Sequence, residues 1–105
     1  MVPMSDRLFM DALRKIIDSG VKEGDAKESI THLIDDYLQC LAEAAGAVPN
    51  GPVLARLRFD HLLEDRLGSQ IARCSKRDPA LKLYLFAYGV LNFRKRKFVA
   101  VEASA

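Results

Sequence analysis

The chain has 105 residues, half of them apolar or aromatic and 29% charged, which is the balance of one globular domain with a modest core. No stretch is long enough and free enough of charge to cross a bilayer; the richest apolar run, Ala80 to Phe93, is short and interrupted by Lys82. The net charge of +2 hides an asymmetry: residues 1–53 carry 5 Lys/Arg against 9 Asp/Glu, and residues 54–105 carry 11 against 5, so the two halves suit different surroundings.

The opening, Met1 to Asp6, has none of the marks of a signal peptide. A first helix is expected from Ser5, whose hydroxyl can cap it, with Asp6 in the first turn and Phe9, Leu13, Ile16 and Ile17 on one face. Gly20 stops it in the position after a helix end, and Gly24-Asp25 marks a turn. The second helix is expected over residues 26–48, with Asp25 as cap and Glu28 completing a capping box. Its apolar positions, Ile30, Leu33, Ile34, Tyr37, Leu38, Leu41, Ala42, Ala45 and Val48, repeat at helical spacing over about five turns. Asp35, Asp36, Gln39 and Glu43 form the polar face.

Pro49-Asn50-Gly51-Pro52 ends that helix. A short apolar segment follows, Val53 to Arg58, which from Leu54 alternates roughly as a strand would, although it is too short to stand alone. A third helix is expected from about Asp60 to Ser75, weakened at Gly68, with Phe59, Leu62, Leu63, Leu67, Ile71 and Cys74 on one side. Asp78-Pro79 is a good helix start, and a fourth helix follows from Pro79 to about Lys97, apolar on nearly every side. Residues 98–105 read as a frayed tail.

Few residues point to chemistry. His32 and His61 stand far apart, each with carboxylates at spacings common on solvated helix faces, so no metal site is expected. No glycine-rich phosphate loop follows a strand, and no Ser/His/Asp or Cys/His arrangement presents a nucleophile. Glu64 and Asp65 are neighbours on a helix and diverge, which is poor geometry for paired acid–base work. Neither catalysis nor a cofactor is expected. Cys40 and Cys74 read as reduced, buried small apolar residues in a reducing compartment, cytoplasm or nucleus. The basic residues Arg73, Lys76, Arg77, Arg94, Lys95, Arg96 and Lys97 are candidates for phosphate contact without base readout, or for nuclear import. The run from Arg94 also reads simply as cations favoured at a helix C-terminus.

Several short stretches carry a family resemblance. Arg7-Leu8-Phe9, then Leu13-Arg14, Ile16-Ile17 and Gly20, resembles the first helix of the subunit 13 family of the general transcription factor TFIID. Glu28-Ser29-Ile30, Leu33 and Asp35-Asp36 are similar to the start of that family's long helix. Lys76-Arg77-Asp78-Pro79 resembles a basic-Asp-Pro motif that introduces its additional C-terminal helix, and a related pattern occurs in the Spt-type histone-fold subunit of the SAGA coactivator. The resemblance covers about residues 7–97. It departs in a longer stretch before Asp78 and in the apolar character of Ala80 to Phe93.

The resemblance implies an all-α histone fold (short helix, long central helix, shorter helix) with a core at about residues 6–75 and an extra helix at about 79–97. It implies a nuclear, non-enzymatic subunit that pairs with a second histone-fold chain, TFIID subunit 11 in the resembled family. It also implies a scaffold for TATA-binding protein, with non-specific DNA backbone contact as a further expectation. Leu33, Ile34, Tyr37, Leu38 and Leu41 would form the dimer seam, with Phe59, Leu62 and Leu63 behind it. The alternative is a self-contained four-helix bundle adaptor with no nucleic-acid role, in which Ile30 to Val48 is ordinary core.

Overall fold

The computed structural model describes residues 5–46 and 49–104, with side chains given as far as Arg94 apart from Pro52. Val48 and Ala105 lie outside the described residues, as do the side chains of Lys95, Arg96 and Lys97. The chain is all-helical, and no strand occurs among the described residues.

Helix α1 runs Asp6–Asp18. Ser5 caps it, its Oγ accepting from the Leu8 amide at 3.2 Å, which satisfies one of the orphan donors of the first turn. Gly20 follows the C-cap with φ +75°, a conformation that an L side chain enters only at a cost. Helix α2 runs Glu23–Gly46 and so begins before the expected cap. Asp25 sits inside its first turn with Glu23, where both carboxylates face the positive end of the helix dipole.

The segment at Val53–Arg58 is helical, not extended. Helix α3 spans Gly51–Asp60, with proline in its first turn, where a missing N–H costs nothing. The Leu54 amide donates to the Asn50 carbonyl at 3.1 Å, closing that turn. Among the described residues no neighbouring strand is present to satisfy an extended backbone here, and leucine, alanine and arginine are all good helix formers. The chain continues without a break into a π-helical stretch, His61–Leu67, and then α4, Gly68–Arg73. The Gly68 amide donates to the Leu63 carbonyl, the five-residue step of a π turn, and its φ of −57° keeps it helical. Residues 51–73 are therefore one composite rod, with a widened turn where the sequence suggested a break at Gly68.

Cys74 leaves the helix with ψ 135°. After a short turn Asp78 caps the last helix, its Oδ1 accepting from the Ala80 amide at 2.9 Å. Helix α5 runs Ala80–Ser104, past Lys97 and through most of the stretch expected to fray.

Four rods converge on one core. Phe9, Met10 and Leu13 come from α1, and Ile30, Ile34, Tyr37 and Leu41 from α2. Phe59, Leu62, Leu63 and Leu67 come from the composite rod, and Tyr84, Ala87 and Leu91 from α5. Phe59, Leu62, Leu63 and Leu67 stand at i, i+3, i+4 and i+8 along the rod, the spacing of one helical face, and all reach the interior. Each large aliphatic side chain so buried contributes on the order of 1.5–3 kcal/mol.

Candidate interaction surfaces

Helices α2 and α5 run side by side in a fixed register. Glu23 pairs with Lys82 at 2.8 Å, Lys27 lies over the Phe86 ring at 5.4 Å, and Asp35 pairs with Arg94 at 3.3 Å. The two members of each pair are 59 positions apart, so the helices lie parallel over at least three turns. Tyr84, Ala87 and Leu91 point from α5 into the core, and α5 thereby closes the side of α2 that a partner was expected to cover.

In the chain alone, the residues expected at the dimer seam pack in or against its own core. Ile34, Tyr37 and Leu41 are buried in the chain's own core, with Phe59, Leu62 and Leu63 packed there as well. Leu33 and Leu38 are half-buried at its edge. The cause is the apolar α5 together with the unbroken rod 51–73, which supply the cover that a short third helix would leave missing.

What remains outside is a different set of apolar residues. On α3, Val53, Leu54 and Leu57 are 55%, 51% and 61% exposed and occupy one helical face. On α5, Leu85 and Phe93 are 50% and 61% exposed. A shallow, open groove between α2 and α5 is lined by Thr31, Phe86, Gly89, Val90, Phe93 and Arg94. A second cleft lies where α1 ends and α5 begins, with Ile17, Val21 and Leu83 among Asp18, Glu23 and Lys82. Sequence reasoning did not single out the exposed residues of α3 or of α5. An alternating segment hid the α3 face, and a helix apolar on all sides gives no sign of which side stays in water.

The titratable groups are structural or superficial. Burial, reinforced by its hydrogen bond to Asp6, pushes the Tyr37 phenol far above its ordinary value. Burial likewise raises Tyr84. Hydrogen bonds from Lys82 and Lys27 hold the exposed Glu23 carboxyl below its ordinary range. His61 meets Asp65 at 2.8 Å and His32 meets Glu28 at 3.8 Å, both one turn apart on exposed faces. No group of three or more metal-ligating side chains gathers among the described residues, and Cys40 and Cys74 are free and half-buried.

Among the described side chains, the basic candidates do not form one patch. Arg73, Lys76 and Arg77 are exposed around the turn before α5. Arg94 lies half-buried well along α5 from them, on the order of 20 Å at the usual helical rise, and is paired with Asp35.

Comparison with known protein families, curated proteins and solved structures finds no match.

Proposed function

We propose that this chain is a non-enzymatic interaction subunit of a general transcription complex of the TFIID or SAGA kind, one that folds before it meets its partner. The reading is supported by the order of its motifs on its helices. Arg7-Leu8-Phe9 opens a short α1, Glu28-Ser29-Ile30 lies near the start of a long α2, and Asp78 caps an additional C-terminal helix. A histone-fold partner of the subunit 11 kind would pair along α2, and the pair would scaffold TATA-binding protein. Since α5 covers that side of α2, such pairing requires α5 to leave it. DNA, if contacted, would meet Arg73, Lys76 and Arg77 through its backbone.

One observation favours a second reading. Six of the eight expected seam residues are sealed inside the chain, as they would be in a self-contained helical-bundle adaptor that binds through its outer faces. Hydrogen exchange of the chain alone, and then mixed with a subunit 11-type histone-fold chain, separates the two. The first reading expects a stable complex in which amides of residues 80–94 lose protection. Absence of a complex, together with no histone-fold chain co-purifying from the cells of origin, overturns it in favour of the adaptor.

A further inference from the structure

The turn between α4 and α5 presents one hydroxyl in a setting that the others lack. The chain leaves α4 extended at Cys74, and residues 75–79 are exposed. The Asp78 amide donates to the Ser75 carbonyl at 3.0 Å, closing a turn with Lys76 and Arg77 at its centre. The Arg77 amide donates to Ser75 Oγ at 3.3 Å, while the Asp78 carboxylate is taken up by the Ala80 amide at the start of α5. Arg73 precedes Ser75 by two positions, so three exposed cations bracket the hydroxyl. Among the described residues none of the three is in an ion pair.

The other described serine and threonine hydroxyls belong to helices. Ser5 caps α1, Ser19 donates to the Ile16 carbonyl at 2.6 Å, and Thr31 donates to the Lys27 carbonyl at 2.9 Å. Ser29 and Ser69 lie inside α2 and α4. A protein kinase needs an exposed acceptor in chain that can lie extended along its groove, and it works largely by positioning and electrostatics. Carboxylates along such a groove select arginine and lysine beside the acceptor by charge complementarity.

We propose that Ser75 is a phosphorylation site for a protein kinase that selects basic residues on both sides of its acceptor. Ser75 Oγ attacks the γ-phosphorus of magnesium ATP, the bond to the bridging oxygen breaks, ADP leaves, and the hydroxyl proton passes to the kinase's catalytic base. The phosphate brings a charge of about −1.5 to −2 among the three cations, and its oxygens take over the Arg77 amide that Oγ already engages. With the Asp78 carboxylate counted as well, the turn becomes nearly neutral and loses its attraction for a polyanion. The modification stands on the turn alone; only its effect on DNA contact rests on the transcription reading.

The test incubates the full folded chain with magnesium ATP and the catalytic domain of protein kinase C, an enzyme directed by flanking basic residues, and maps the phosphate by mass spectrometry. The expected result is incorporation at Ser75, lost in Ser75→Ala and kept in Ser75→Thr, with unchanged helical circular dichroism in both. Arg73→Gln and Arg77→Gln should each slow the incorporation. The same peptide should carry phosphate in chain isolated from its cells of origin with phosphatases blocked. Phosphate mapped to Ser29, Ser69 or another hydroxyl overturns the proposal, as does incorporation only after denaturation. So do rates indifferent to both glutamine substitutions, and so does an unmodified Ser75 in the isolated chain.

Discussion

The phenol of Tyr37, at the middle of α2, donates a 2.7 Å hydrogen bond to Oδ1 of Asp6 in the first turn of α1, and its ring lies against Phe9 with centroids 5.1 Å apart. One side chain thus ties the start of the chain to its centre. Tyr37→Phe keeps the ring packing and removes the donor, and the expected loss is about 1–2 kcal/mol of unfolding free energy. Urea denaturation near neutral pH measures it.

The same residue governs alkaline behaviour. The unfolded chain releases the Tyr37 proton near the ordinary value of 10.0, whereas the folded chain holds it to higher pH. Below that value both states are neutral and the stability is fully present; as pH rises through and beyond it, unfolding is increasingly favoured. Tyr84 acts in the same direction. Tyr37→Phe should therefore lose less stability than the wild type between neutral and strongly alkaline pH, and equal losses would contradict the assignment.

Ile34 and Leu63 separate an inner core from a partner seam. Both are buried without any partner present. Ile34→Ala and Leu63→Ala should each cost about 2–5 kcal/mol in the isolated chain. Thermal melting of the purified variants reads this directly. Unchanged melting would mean that these side chains are exposed until a partner arrives.

Gly51 and Gly24 make opposite predictions for one substitution. A Cβ at Gly51 would collide with the backbone of Ala45, where the start of α3 presses on the end of α2. Gly51→Ala should therefore destabilise by about 1–3 kcal/mol. Gly24 lies in the first turns of α2 with open space around it, and Gly24→Ala should stabilise by roughly 0.5–1 kcal/mol. Melting temperatures moving in the same direction would contradict the close contact.

Phosphate contact by Arg73, Lys76 and Arg77 has a salt signature. If these exposed side chains meet a DNA backbone, affinity should fall steeply with salt, and replacing all three with Gln should flatten the slope by roughly three counterions. Fluorescence anisotropy with a random-sequence duplex measures both slopes, and a wild-type affinity insensitive to salt rules the contact out.

Much of this fold was legible residue by residue. The Ser5 cap, the stop at Gly20, the periodicity of α2 from Ile30 to Leu41 and the Asp78-Pro79 start of α5 act within one or two turns, through bonds and sterics that neighbouring residues settle among themselves. The alternation of Val53 to Arg58 misled for the same reason, since six residues cannot report whether a neighbouring strand exists to hold them extended. The stripe on α2 stated that Ile34, Tyr37 and Leu41 must be covered. It could not state by what, because burial is indifferent to whether the covering side chains come from another chain or from residues fifty positions away. Only the tertiary structure decided that Tyr84, Ala87 and Leu91 do the covering, in a register fixed by Glu23–Lys82 and Asp35–Arg94. By the same choice it left Leu85 and Phe93 facing water.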